Sequence, residues 1–351
     1  MQKIKSEVLI EFVAHIFQAA GTPSETARMV AASLVRTNLT GHDSHGVIRV
    51  PQYLQSIATG AIQPEAVPVV VRETPTITTI DAQNSFGQVA AQFSMDVTIK
   101  KAQQQGVAAT TLFRCHHVGR LGEWVELAAI QNMIGLAFCT ASNYPGRVAP
   151  FGGQQAVLGT NPFAAAVPAA GRPPIVIDFA TSIVAEGKVR LAFNQGELLP
   201  EGLLLGPDGQ PSLNPQDLYE GGALLPFGGS IAGHKGYSLA ILMDLLGGIL
   251  AGRGTPGLPG FISGNGVLFI VLDINVFQPL ETFLADIAIF CDYVQSCPPT
   301  GDIQQVLMPG EPEFRTTTQR QAEGIPIDDF TWTQLTEVAT KLGVPTPTDG
   351  G

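Results

Sequence analysis

A hydroxyl, an imidazole and a guanidinium fall within one short segment near the amino terminus. Ser44 and His45 follow Asp43, and Arg49 comes soon after, in the stretch GHDSHGVIRVPQYLQ. Arginine is the side chain best shaped to hold a carboxylate through two parallel hydrogen bonds. The segment could therefore clamp the carboxylate of a small substrate. It could equally be a capped polar turn. A hydrolytic triad is disfavoured, because three consecutive side chains are expected to diverge rather than converge. There is also no G-x-S-x-G elbow to present a nucleophilic serine.

His116 and His117 form a second candidate. They end the strand-like run VAATTLFRC, just before Gly119 and a helical pattern. Loops at strand ends commonly carry reactive groups. An imidazole titrates near neutral pH and can give or take a proton there. The alternative is a turn histidine that only bonds main chain.

Further polar positions cluster around later strands. Gly152–Gly153 and Gly159-Thr160-Asn161-Pro162 make two tight turns, and Asp178 ends the strand-like IVID. A carboxylate at a strand end can accept hydrogen bonds from ligand hydroxyls. Lys235–Gly236 is expected to open a helix, whose free N–H groups and dipole favour an anion. An ordinary solvated lysine is the alternative. The stretch GGSIAGHK (Gly228–Lys235) approaches a P-loop, but His234 takes the lysine position and no Ser or Thr follows. No G-x-G-x-x-G follows a strand, so the ordinary Rossmann fingerprint is missing. There is no HExxH and no CxxC; Cys115, Cys139, Cys291 and Cys297 are scattered. A metal site is not expected, and the cysteines are expected to be reduced thiols of a cytoplasmic protein.

The elements that must position these residues are marked by periodicity. Leu9, Phe12, Val13, Ile16 and Phe17 recur at helical spacing. Glu7, Glu11 and His15 interrupt that stretch and argue against a signal peptide. A second helix is expected with Thr22 as cap, Pro23 at its first position and Glu25 completing a capping box. It carries the stripe Ala27, Val30, Ala31, Leu34 and Val35, and ends near Asn38–Gly41. VPVVVRE and TITTIDA have strand character, and a helix is expected over about Gln88–Gln105. VAATTLFRC and IGLAFCTAS flank a helix over Gly119–Asn132, a βαβ-like rhythm. IVIDFAT and VLFIVLDINVF are further strands. Lys235–Ala251 is apolar nearly all round and is expected to be a central helix. Asp328 or Asp329 caps a last helix carrying Leu335, Val338, Ala339 and Leu342.

Asn194–Pro226 is rich in Gly, Pro and Asp and contains the turn PDGQP, an ordered excursion. The expected fold is α/β: a mixed sheet flanked by helices, with a helical layer made from both termini. The expected division is 1–65 plus 310–351 for the helical part and 66–309 for the α/β body.

Composition narrows the class. The chain has 351 residues, 45% of them hydrophobic and 14% charged, so a sizeable core is expected. The net charge of −11 disfavours nucleic acid and anionic membrane surfaces. A small anionic substrate needs only a few local cations and stays open. The longest apolar run, Tyr237–Ala251, holds Asp244 and Gly247–Gly248 and is too short to span a bilayer.

DSHGVIRVPQY, CHHVG, APFGG, LGTNPFAAAVP, IDFATS, PDGQP, HKGYSLAILMDLLGGILAG and EGIPIDD occur in that order. Together they make the chain resemble the type 2 malate/L-lactate dehydrogenase family. Ureidoglycolate, sulfolactate and 2,3-diketogulonate oxidoreductases and reductases of cyclic imino acids belong to the same family. The resemblance covers almost the whole chain. It implies NAD or NADP as cofactor, held in a fold unrelated to the Rossmann domain, and a homodimer with active sites near the interface. It implies His117 as proton donor, from the family's S-N-H-F-G motif, which here reads Cys115-His116-His117-Val118-Gly119. Ser44, His45 and Arg49 are implied to bind substrate. Ser142, Thr160, Asn161, Asp178, Phe179, Ala180, Lys235 and Gly236 are implied to bind the cofactor.

The implied reaction moves a hydride between nicotinamide and a small 2-hydroxy or 2-oxo acid. Reduction of a cyclic imino acid or a sugar acid on the same scaffold is the alternative, as is a relative that binds without catalysis. Arg120 and Arg147 are extra cations that could favour a more anionic substrate. His116 replaces the family's asparagine.

Overall fold

The computed structural model describes residues 2–142, 146–261 and 263–347, with Ser142, Leu191 and Asn194 described by their backbone alone. The chain opens with β1 (Gln2–Ile4), α1 (Ser6–Ala19) and α2 (Ser24–Leu39). Two 3-10 turns at Asp43–His45 and Val47–Arg49 lead into α3 (Val50–Ala58). Then come β2 (Val69–Glu73), β3 (Ile77–Asp81), α4 (Gly87–Gln105), β4 (Val107–Cys115), α5 (Gly122–Ile130) and β5 (Met133–Ser142). β6 (Phe163–Val167), β7 (Ile175–Phe179) and α6 (Glu186–Gln195) follow. The short strands β8 (Leu204–Leu205), β9 (Pro211–Ser212) and β10 (Ala223–Leu224) precede α7 (Gly229–Met243). A π-turn at Asp244–Leu250 leads to β11 (Gly264–Asp273) and α8 (Leu280–Gln295). α9 (Glu311–Glu323), β12 (Ile325–Ile327) and α10 (Asp329–Lys341) close the chain.

The main sheet is mixed, with seven strands in the order β2-β3-β4-β11-β5-β6-β7. β3 and β4 are parallel neighbours joined through α4, a true βαβ unit. The expected rhythm across β4, α5 and β5 is corrected by β11. That strand inserts antiparallel between β4 and β5, so the two are parallel but not neighbours. β11 is suited to the central slot because Val267, Leu268, Phe269 and Val271 bury both of its faces. α4 and α5 cover one face, where Met95, Trp124, Val125, Ala137 and Phe269 share a core.

The two ends of the chain meet. β1 pairs with β12, and Leu9, Phe17, Leu34, Tyr53, Leu335 and Ala339 form a second core. The α1 stripe is buried as its spacing requires, and Asp328 caps α10 by accepting from the Thr331 N–H at 2.9 Å. The capping box at Thr22 does not form. The Thr22 N–H still bonds back to Phe17 in α1, its buried Oγ1 has no partner, and α2 begins after Pro23. The excursion after α6 is ordered: β10-β8-β9 form a small sheet over Val148, Val189, Leu204, Leu218 and Leu224.

The helix expected at Lys235–Ala251 starts earlier and lies further out. Gly228 and Gly229 take positive φ of 95° and 56°, which turns the chain into α7 upstream of Lys235. Ile231, Leu242, Leu245, Ile249 and Leu250 are exposed, so this helix is not central within one chain. Its π-turn packs on the sheet through Gly247, where a Cβ would stand 2.7 Å from the carbonyl oxygen of Phe138. No helix of the described residues is long and apolar enough to cross a membrane.

Candidate active site

Strand direction gathers the candidates at one edge. β3, β4, β5 and β7 all run the same way. The carboxyl ends of β4, β5 and β7 therefore lie together, and they carry His116–His117, Ser142 and Asp178–Phe179–Ala180. Thr160–Asn161 enter β6 at the same edge, because Phe163 is paired with both Phe138 and Phe179. Ligands of open α/β sheets bind outside such carboxyl ends.

His117 is held from two sides. Tyr53 Oη on α3 lies 2.8 Å from Nδ1 of His117, and Gln88 on α4 donates to the same Oη at 2.9 Å. Tyr53 is fully buried, with its ring against Phe17 and Phe86. The first residue of α4 also presses on this loop. A Cβ at Gly87 would overlap the carbonyl of His117, so only glycine lets the helix approach that closely. His116 turns the other way: its Nε2 lies 3.0 Å from Ser56 Oγ, and its Nδ1 is buried without a partner.

The Ser44–His45–Arg49 turn faces His117 across a stacked ring pair. His45 and His117 have centroids 5.4 Å apart and planes inclined by 31°. Ser44 Oγ lies 2.9 Å from His45 Nδ1, so these sequence neighbours do converge, against the expectation of divergence. The successive 3-10 turns bring them together. Asp43 is spent elsewhere, accepting from Asn38 and from Arg320 of α9. Arg49 donates through Nε to the Ser44 carbonyl at 2.7 Å and through Nη1 to Gln52 at 2.9 Å. The second nitrogen of its fork, Nη2, has no protein acceptor in the hydrogen-bond network of the described residues.

Burial and cationic neighbours keep these imidazoles neutral. Burial, then Arg49, His45 and His116, hold His117 well below the usual imidazole range. Burial, then Arg49 and His42, push His45 down to about 3. Burial, then Arg253, bring His116 to about 4. Among the described residues, Arg49 is the cation that bears on His45 and His117 and Arg253 the one that bears on His116, and a carboxylate is the natural counter-ion.

The other candidates form a neighbouring group. Phe138, Phe163, Phe179 and Phe227 make a continuous aromatic strip, with centroids 5.3, 5.9 and 6.0 Å apart. Gly236 packs on the main chain of Phe227, where a Cβ would collide. Lys235 is exposed and makes no ion pair among the described residues. It sits inside α7 rather than at its start, so the expected helix-terminus effect does not apply to it. The Thr160 carbonyl accepts from the Thr181 N–H at 2.9 Å. Asn161 is fully buried; its Oδ1 accepts from the Ala141 N–H and its Nδ2 donates to the Ala240 carbonyl. Asp178 accepts from the Gly122 N–H at 2.7 Å, at the start of α5, and lies 3.6 Å from Arg120. Ala180 follows Phe179, and the side chain of Ser142 lies outside the described residues.

Arg120 does not add a cation to the site. It is buried and paired with Glu126 at 2.8 Å and with Asp178. Among the described residues, Arg147 donates to the Gly146 carbonyl alone, at 3.5 Å. Arg253, unremarked in the sequence, is a half-buried cation beside His116. It donates to the Ser263 carbonyl, its Nε has no partner, and it lies over Phe261. Tyr53 and Gln88 were also unmarked. Only Tyr53 had a signal, as the tyrosine of RVPQY on the substrate side of the turn.

The residues present fit a dinucleotide cofactor. The aromatic strip offers an apolar wall of mutually inclined rings, and Lys235 is an exposed cation next to Gly236, which packs on Phe227 of that strip. No group of His, Cys, Asp and Glu suited to a metal ion occurs among the described residues.

Similarity to known proteins runs along nearly the whole chain. Hydroxycarboxylate dehydrogenase B of Escherichia coli strain K12 is 35% identical, over 99% of this chain and 96% of its own. The structure of malate dehydrogenase from Pyrococcus horikoshii OT3 superposes with a TM-score of 0.88 at 32% identity, covering 98% of this chain and 96% of that one. The δ1-piperideine-2-carboxylate reductase of Pseudomonas syringae pvar. tomato superposes with a TM-score of 0.84 at 32% identity, covering 97% and 100%. Residues 4–336 match the profile of the malate/L-lactate dehydrogenases, a span that takes in the His117 loop, the Arg49 turn and the aromatic strip alike, and the chain belongs to that family.

Proposed function

We propose that this protein is a nicotinamide-dependent oxidoreductase that interconverts a small 2-oxo acid and the corresponding 2-hydroxy acid. The observation that carries this reading is the His45–His117 ring pair, with Arg49 on the same turn as His45 and its charge bearing on both imidazoles. Arg49 takes the substrate carboxylate, and the Ser44–His45 pair lines the same turn. His117 faces the carbonyl oxygen and gives it a proton through Nε2, since Nδ1 is engaged by Tyr53. A bound nicotinamide supplies the hydride. In the reverse direction the same imidazole accepts the hydroxyl proton. Phe179, Ala180, Lys235, Gly236, Thr160 and Ser142 would hold the cofactor, with Asn161 and Asp178 positioning its side of the site.

Reduction of a cyclic imino acid is the second reading, favoured by the likeness to the piperideine-carboxylate reductase. There His117 would protonate ring nitrogen instead of oxygen. A homodimer fits the apolar side chains left exposed on α7, the π-turn and α8, including Leu242, Ile249, Leu250, Ile289, Phe290 and Tyr293.

The test is a fluorescence titration with NADH and with NADPH, followed by a panel of 2-oxo acids and cyclic imines. Saturable binding of one nucleotide, and its oxidation only with a 2-oxo acid, is the expected result. Binding of neither nucleotide by the folded protein would overturn the reading.

A further inference from the structure

The polar partner of His117 Nδ1 is itself held by a third side chain. Gln88 Nε2 donates to Tyr53 Oη at 2.9 Å, so the Tyr53 proton must point elsewhere. It has two acceptors within reach: Nδ1 of His117 at 2.8 Å and the His117 carbonyl at 3.5 Å. A proton given or taken at Nε2 leaves Nδ1 protonated in both the imidazolium and the neutral ring. Nδ1–H then donates to Oη, and the hydroxyl proton turns to the His117 carbonyl.

We infer that Tyr53, held by Gln88, is a positioning residue for His117: its hydroxyl oxygen accepts from Nδ1–H in both protonation states, which keeps Nε2 as the proton-transfer atom. This rests on the reading of His117 as proton donor. The bond to the cationic ring is charge-assisted and is the stronger of the two states. Losing it therefore costs the imidazolium more than the neutral ring. The phenol is not the proton source, because the ring is buried in the Phe17–Phe86 core and the hydroxyl contacts no ionised base. The charged and titratable groups facing the pair are Arg49 and His45 from the substrate turn, His116 from the same loop, and Cys115 of β4 and Glu123 of α5 on the Tyr53 side.

Two measurements test this. In the whole substrate-free protein, ¹⁵N NMR of labelled histidine should show neutral His117 with protonated Nδ1 and bare Nε2. Protonation on Nε2 in the neutral form would overturn the proposal, whether or not any activity is found. In Tyr53→Phe, kcat should fall roughly 10- to 100-fold with KM little changed. The falling limb of the reduction pH profile should move to lower pH, because the imidazolium has lost its acceptor. Gln88→Leu should move it the same way by less. A drop in kcat with an unmoved pH profile would reduce Tyr53 to a packing role and overturn the inference. If His117→Ala is itself fully active, the underlying reading has failed instead.

Discussion

The imidazoles of His45 and His117 stack 5.4 Å apart, with Ser44 hydrogen-bonded to the first and Tyr53 to the second. Both rings are held neutral by burial and by Arg49. A proton donor that rests unprotonated must be charged on demand, and the substrate can do this. A carboxylate on Arg49 cancels the charge that depresses His117, so the imidazole regains affinity for a proton. Binding of a non-reactive 2-oxo acid mimic such as oxamate to the cofactor-loaded protein should therefore take up protons below neutral pH. Calorimetry in buffers of different ionisation enthalpy reads this directly. Identical apparent enthalpies in every buffer would remove the coupling.

Arg49 should act mainly in binding. Its fork is already aligned by Ser44 and Gln52. Arg49→Lys keeps a charge but loses the two-pronged fit. KM for the 2-oxo acid should rise roughly 10-fold or more, with a smaller change in kcat. An unchanged KM would take Arg49 out of the clamp.

Gly87 sets the position of the His117 loop. Gly87→Ala would drive a methyl into the His117 carbonyl, which is main chain and cannot rotate away. The variant should lose about 1–3 kcal/mol of stability. It should also lose turnover, because sub-ångström placement governs proton transfer. Denaturant unfolding and steady-state kinetics check both. Parental behaviour in each would show that the loop is free to move.

Glu123 should make stability depend on pH. It is buried on α5 and accepts from Ser33 at 2.8 Å, with Arg36 at 3.6 Å. Burial, only partly offset by Arg36, Ser33 and Arg120, pushes its carboxyl up to about 7 from the ordinary 4.5. An acid whose folded-state value is raised holds its proton more tightly folded than unfolded. Its ionisation therefore lowers stability as pH rises from about 4.5 to about 7, and the loss persists above. Glu123→Gln should be more stable than the parent above neutral pH, by on the order of 2–3 kcal/mol, with the gain fading toward acid. A gain that is the same at every pH would contradict the assignment.

Much of the frame was legible because local patterns and tertiary demands agree. The α1 stripe, the strand-like β-branched runs and the Asp328 cap all fold as their residues suggest. What could not be read was mostly long-range. The insertion of β11 between β4 and β5 has no local signal, and it converts an apparent βαβ succession into a mixed sheet. Gly228 and Gly229 move the start of α7 upstream, which takes Lys235 away from a helix terminus. Arg120 looked like a spare cation until its partners, Glu126 and Asp178, were in view. In the site, Ser44, His45, Arg49 and His117 stood out by residue type and by resemblance. Tyr53 and Gln88 did not, since neither spacing nor chemistry ties a buried tyrosine to a histidine 64 residues away.

The most direct measurement is turnover of His117→Ala with a 2-oxo acid, alongside its titration with the reduced nicotinamide nucleotide. The expected result is a kcat lowered roughly 10²- to 10⁴-fold with nucleotide affinity unchanged. Turnover close to that of the parent would contradict the assignment of His117 as the proton donor.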